Sequence, residues 1–177
     1  PDKWPAYFTK AKNITVWDLE GNKYLDMFCA VGTSILGYGN DKVNKSVQIN
    51  IKKGNMTSLN CPEEFYLSKK LIKHHPWAAM VKFTRGGGEA NSVAIRIARS
   101  CTKKKNVAFC GYHGWHDWYL SANINSKKNL DEHLMSGLNF DGIPEKLKNT
   151  SFPFPYNNFK YLSDLVKKKI LELLKWK

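Results

Sequence analysis

The alternation of apolar and polar positions predicts a hairpin near the start of the chain. Ile14–Asp18 and Lys23–Phe28 read as two short strands, with turn chemistry at Leu19-Glu20-Gly21-Asn22 between them. A stretch punctuated by Gly32, Gly37 and Gly39 follows. Asp41 then caps a helix over Lys42–Lys53, with Val43, Val47 and Ile51 on one side and Gly54-Asn55 as its stop. Pro62-Glu63-Glu64 opens a second helix, its apolar side carried by Phe65, Leu67, Leu71 and Ile72 up to His74-His75-Pro76.

The middle of the chain is more regular. Ala79–Thr84 reads as a strand and Arg85–Gly88 as a loop. Glu89–Cys101 reads as a helix with Ala90, Val93, Ala94, Ile97 and Ala98 inward, and Asn106–Cys110 as the next strand. Strand, helix, strand in so short a span predicts a βαβ unit and hence a parallel, buried sheet. Residues 121–160, rich in Asn, Lys, Pro and Gly, read as a long irregular segment. Tyr161–Trp176 reads as a terminal amphipathic helix with Lys167, Lys168 and Lys169 between its leucines.

The length of 177 residues allows one ordinary domain, or one with a small appendage. A composition of 42% hydrophobic and 24% charged residues is that of a globular protein. No apolar run is long enough to span a membrane, and Pro1–Pro5 shows no leader pattern, so no membrane partner and a cytoplasmic location are expected. The net charge is +13, yet only Arg85, Arg96 and Arg99 of the 28 basic side chains are arginine. Readers of nucleic acid lean on arginine's planar fork, so the lysine excess reads as a solvated surface, and no nucleic acid is expected. Cys29, Cys61, Cys101 and Cys110 form no C-x-x-C pair and read as free thiols.

Two loops carry candidate chemistry. Gly86-Gly87-Gly88 lies between a strand and a helix, where missing Cβ atoms let a ligand approach the backbone and the first helical N–H groups lack partners. That combination suits phosphate, and it equally suits a tight turn with no ligand. Glu89 reads as a helix-start acid turned away from any such anion. Gly111-Tyr112-His113-Gly114-Trp115-His116-Asp117-Trp118 follows the next strand. Both loops fall at the carboxyl ends of strands, where open α/β sheets bind ligands. An aromatic ring here can cover a flat heteroaromatic ligand, or belong to a packed cluster. His113, His116 and Asp117 lack a third strong ligand for zinc, so no metal is expected.

The ordered motifs resemble the class III pyridoxal-phosphate aminotransferases, and within them the glutamate-1-semialdehyde 2,1-aminomutase-like branch. The resemblance runs from about Ile14 to Leu134. It is carried by Val16–Asp26, Ile35-Leu36-Gly37-Tyr38-Gly39-Asn40, Phe83–Asn91, Ala94–Arg99 and Gly111–Gly114. It implies an α/β, fold-type-I PLP-dependent transferase fragment: a mostly parallel sheet with flanking helices and an N-terminal hairpin. Residues 1–54 would belong to the small domain and 55–177 to the first part of the large PLP-binding domain. It implies pyridoxal 5′-phosphate as cofactor, with the phosphate on the backbone amides of Gly86, Gly87 and Gly88. Tyr112 would lie on the pyridine face, with His113 beside it. The family has Ser-Gly-Thr or Ser-Gly-Ser at the glycine run, so this chain lacks both hydroxyls. Ala30-Val31 stands where the aminomutase has Ser-Trp, which weakens the semialdehyde substrate and leaves transamination of a small amino donor and acceptor.

The lysine and aspartate on which the family's catalysis depends lie well downstream of Tyr-His-Gly, and no lysine here sits in such a motif. The expectation is the first half of such an enzyme, with no catalytic residue of its own, inactive alone, and part of a homodimer in full-length form. The alternative is a non-catalytic phosphate-ligand-binding remnant or an interaction subunit.

Overall fold

The computed structural model describes residues 5–54, 57–126, 129, 130 and 141–174, with side chains as far as 168. The chain divides into two compact units, Pro1–Val81 and Lys82–Lys177. That line falls later than the 54/55 boundary expected between small and large domains.

In the first unit, β1 (Phe8–Lys12), β2 (Thr15–Asp18) and β3 (Lys23–Leu25) form an antiparallel sheet in that order. The expected hairpin is β2–β3, and β1 adds a strand that the sequence reading did not assign. The β1–β2 turn needs only Asn13 and Ile14, because Asn13 adopts φ 53°, a left-handed conformation Asn tolerates better than most residues. Asn13 also pairs through both backbone groups with Tyr38 (2.9 and 2.7 Å). A Cβ on Gly37, at φ +87°, would stand 3.2 Å from the Asn13 Cα, so that crossing requires glycine.

Buried Asp18 ties the β2–β3 hairpin. It accepts from the Asn22 backbone N–H (2.8 Å), the Asn22 amide (3.0 Å) and the Tyr24 hydroxyl (2.7 Å). Asp26 accepts from the Tyr38 hydroxyl and from the N–H groups of Phe28 and Cys29. Directly after it, Cys29, Ala30, Val31 and Gly32 all take positive φ (49°, 49°, 57° and 81°), one turn of left-handed backbone. α1 (Asp41–Lys52) starts one residue earlier than expected, with Asn40 rather than Asp41 as N-cap. The Asn40 side chain accepts from Lys42 and Val43, which frees Asp41 to meet Lys12 at 2.8 Å. α2 (Pro62–His74) begins at its proline and ends at its histidines, as its sequence signals indicate. Gly54 follows α1 at φ +82°, while Asn55 lies outside the described residues.

The second unit holds α3 (Gly87–Thr102), β4 (Val107–Phe109), α4 (Asp117–Leu120), α5 (Ala122–Asn125), β5 (Ser151–Pro153) and α6 (Phe159–Leu174). A turn of 3-10 helix, Glu145–Leu147, precedes β5. Here the structure corrects two expectations. Residues 79–84 pair with no strand among the described residues, and the parallel partner of β4 is β5, inside the stretch read as irregular. Apolar alternation marks a segment as able to extend, but only a ladder partner makes it a strand. β4 and β5 run parallel with Val107 opposite Ser151, extended by Val107 N–H to Thr150 O and Phe154 N–H to Phe109 O (both 2.9 Å). The described sheets are therefore one antiparallel trio and one parallel pair.

The buried core also lies in this unit: Phe109, Trp118, Tyr119, Leu120, Ala122 and Leu130, backed by Ile95, Val107 and Ile143. Outside this cluster many large apolar side chains face outward, Trp77 (86% exposed) and Met80 (88%) among them. The terminal helix α6 starts two residues before Tyr161, and its expected end at Trp176 lies outside the described residues. No helix among the described residues is long and apolar enough to cross a membrane.

Candidate functional site

The glycine run is not all loop. α3 begins two residues before Glu89, so Gly86 is its N-cap in extended backbone while Gly87 and Gly88 form its first turn. The first intrahelical bond runs from Ala90 N–H to Gly86 O (3.0 Å). By helix geometry the N–H groups of Gly87, Gly88 and Glu89 have no acceptor within the helix. They collect the positive end of a sixteen-residue dipole. Glu89 does not fill this position. Its carboxylate reaches back to accept the Arg85 backbone N–H at 2.9 Å, a relative of the capping box. A Cβ on Gly86 or Gly87 would meet nothing within 4 Å, so the space before the helix is open on that side.

Gly88 faces the second loop. A Cβ there would lie 2.8 Å from both Cδ2 and Nε2 of His116 and 3.9 Å from the His113 carbonyl oxygen. Gly114, at φ +94°, is equally constrained, since its Cβ would stand 3.3 Å from the Gly88 Cα. The start of α3 and the glycine-bearing loop after β4 therefore lie close together: a side chain at Gly88 would have to displace the His116 imidazole, and one at Gly114 would press on the Gly88 backbone.

His113 fastens that junction. Its Nε2 lies 2.8 Å from the Cys110 carbonyl, and its Nδ1 lies 3.3 Å from the amide nitrogen of Asn91, in the second turn of α3. A carbonyl can only accept, so Nε2 carries the proton and Nδ1 accepts from Asn91. The imidazole thus bridges the end of β4 to the flank of α3. Its ring also meets Phe109, Trp118 and Tyr119, each at 5.8 Å between centroids.

Tyr112 is half exposed (55%) and rests edge-on against Tyr119, at 6.0 Å and 86°. Tyr119 is fully buried, and burial pushes its phenol up to about 12. The Tyr119 hydroxyl has no hydrogen-bond partner among the described residues. The His113 backbone opposes the shift without reaching hydrogen-bond geometry. One ring is thus enclosed by buried neighbours, and another, Tyr112, rests on it and faces solvent.

Of the residues expected to form the site, Gly88 and the His113 backbone come together, and Gly114, which was not among them, joins them. Gly86 and Gly87 open onto free space, and Tyr112 contacts Tyr119 rather than the glycines. Asn91 and His116 carry geometry that the sequence reading gave them no part in. In the sequence His116 is visible as a metal-ligand type in an aromatic loop after a strand, which does not say which helix it will meet. Among the described residues no group of His, Cys, Asp and Glu side chains could hold a metal ion.

The family model for class-III aminotransferases matches residues 2–172. The chain is 34% identical over 167 residues to a 3-aminobutyryl-CoA aminotransferase of Cloacimonas acidaminovorans, covering 94% of this chain and 36% of that protein. It is 36% identical over 171 residues to a glutamate-1-semialdehyde 2,1-aminomutase of Methanocaldococcus jannaschii, covering 96% and 38%. An omega-transaminase from Sphaerobacter thermophilus superposes with a TM-score of 0.79 at 22% identity, over 95% of this chain and 39% of that one. A glutamate-1-semialdehyde aminomutase from Pseudomonas aeruginosa gives 0.70 at 16%, over 93% and 36%. These likenesses in structure establish the fold. The chain spans little more than a third of the length of the relatives it matches.

Proposed function

We propose, from the premise that this chain belongs to the class-III aminotransferase family and has its fold-type-I architecture, that it supplies the phosphate- and ring-binding part of a PLP-dependent aminotransferase or aminomutase. The observation that carries the reading is the close approach of Gly88 and Gly114. It sets the open N-terminus of α3 against the Tyr112–Gly114 loop within one compact unit.

The residues fit the cofactor. An anionic group at the start of α3 would meet the amides of Gly87, Gly88 and Glu89 with no side chain in the way, and the Tyr112 face offers a flat apolar cover for a heterocycle nearby. When bound, pyridoxal phosphate supplies an electron sink that stabilises negative charge on the substrate carbon bearing the amino group. This chain's own contribution is to bind and orient. The amides hold the phosphate, Tyr112 shields one ring face from water, and the His113 bridge keeps the two loops at a fixed separation. In the complete protein we place the small amino donor and acceptor over that ring, a largely parallel sheet completed by further strands, a homodimer, and a cytoplasmic setting. Residues 1–54 then belong to its small domain and 55–177 to its cofactor-binding domain.

Gly87→Asp tests this. The Cβ of the new side chain meets no atom within 4 Å, and its carboxylate sits in the first helical turn, where it favours α3 by about 0.3–1 kcal/mol. The same charge repels a phosphate. Saturable binding of pyridoxal 5′-phosphate, followed by fluorescence and competed by inorganic phosphate, is expected for the native chain and lost in the variant, with helicity kept. Binding that ignores both phosphate and the variant refutes the assignment.

A further inference from the structure

The missing hydroxyls at the glycine run leave the phosphate with backbone donors alone, unless something else reaches it. A histidine from the neighbouring loop stands against that run. The Cδ2–Nε2 edge of His116 lies 2.8 Å from the point where a side chain at position 88 would begin, so the imidazole occupies the space that such a side chain would claim. The ring is exposed and arrives from the loop after β4, not from α3. Its Nε2 stands beside the first turn of α3, where Gly88 is the second helical residue.

We propose that His116 is a phosphate-binding residue whose imidazole N–H, donated across from the neighbouring loop, does the work of the absent hydroxyl at position 88. This rests on the reading that a phosphate sits at the start of α3. It goes further in naming a residue outside the glycine run as its ligand, and in making positions 88 and 116 mutually exclusive. A side chain at 88 has to displace the imidazole, and the imidazole in its present place leaves no room for one. Glycine at 88 is then the condition that lets His116 in.

The test is a reciprocal exchange in the full chain, with pyridoxal 5′-phosphate and phosphate-free pyridoxal as the two probes, and far-ultraviolet circular dichroism to verify folding. A hydrogen bond to a charged group corresponds to about a ten- to hundredfold change in affinity. His116→Ala should lose about that factor for pyridoxal phosphate and nothing for pyridoxal. His116→Gln, which keeps an N–H donor, should fall within a few fold of the native chain. Gly88→Ser alone should bind poorly, its Cβ colliding with the imidazole. Gly88→Ser combined with His116→Ala should recover most of the lost affinity, and the 31P resonance of the bound ligand should follow the same order. Equal affinity of His116→Ala and the native chain for pyridoxal phosphate overturns the proposal, as does an equal loss for both probes or a double variant no better than His116→Ala. A native chain that fails to prefer pyridoxal phosphate over pyridoxal overturns the underlying phosphate reading itself, a result distinct from the other three.

Discussion

Tyr119 separates the contribution of a buried ring from that of its hydroxyl. The residue is fully buried and touches four aromatic neighbours: Phe109 at 5.0 Å, His113 and Trp118 at 5.8 Å, and Tyr112 at 6.0 Å. Removing the ring, in Tyr119→Ala, deletes the centre of the core and should cost about 3–5 kcal/mol, as large aromatic truncations do. Removing only the hydroxyl, in Tyr119→Phe, breaks no hydrogen bond, because the oxygen is buried without a partner among the described residues. It relieves a desolvated polar atom, whose burial unpaired costs about 1–3 kcal/mol. Tyr119→Phe should therefore leave stability unchanged or raise it by about 1 kcal/mol. Urea unfolding, followed by aromatic fluorescence with the slope held common, measures both variants. Alkaline titration gives an independent check. The phenol is pushed up to about 12, so the absorbance step lost in Tyr119→Phe should lie near there rather than in the ordinary tyrosine range. A raised folded pKa means stability is complete below the unfolded value and is lost as pH climbs towards 12. A loss of more than about 1 kcal/mol in Tyr119→Phe would show that the hydroxyl has a partner in solution and would refute this reasoning.

Asn40→Ala removes the cap on α1 and should cost about 1 kcal/mol, read as a lower thermal midpoint, whereas Asn40→Asp should be near neutral. Val31→Gly should stabilise by about 0.5–1 kcal/mol. A β-branched residue at φ 57° carries roughly 1–2 kcal/mol of strain, only part of which is returned as glycine's chain entropy, and a destabilised variant would contradict the left-handed turn. Acid should loosen the first unit. The Asp26 carboxyl is held below its usual range, chiefly by the Tyr38 hydroxyl; burial alone would raise Asp18, but its bonds from Tyr24 and Asn22 outweigh that and bring it down. Folded values below unfolded ones give stability that is present above about pH 4 and lost as pH falls through the folded values. A circular-dichroism acid titration should show that loss, and Asp26→Asn should flatten it.

Local signals carried much of the fold. Pro62 opens α2, Gly54 follows α1, and the Leu19–Asn22 turn joins β2 to β3, because capping and turn chemistry act over a few residues. Long-range pairings were not legible in the same way. β1 lacks a clear apolar alternation because Lys10 and Lys12 dilute it, and its register, Lys12 against Thr15 around Asn13-Ile14, depends on the partner strand. β5 is three residues long and ends in Pro153, so nothing local distinguishes it from a loop, and its pairing with β4 depends on residues far away in sequence. The site divides along the same line. Gly86–Gly88 and Tyr112-His113 were visible as motifs, whereas the junctions from Asn91 to His113 and from Gly88 to His116 exist only after α3 and the post-β4 loop are brought together.

The parallel pairing of β4 with β5 has a consequence for how the chain comes to be folded. Val107 waits for Ser151, about forty positions later, before its ladder can close. At about 5–20 residues per second of synthesis the delay is roughly 2–9 s. During that interval Phe109 and its strand lack the ladder partner that β5 supplies, and an apolar strand edge stays open on the nascent chain.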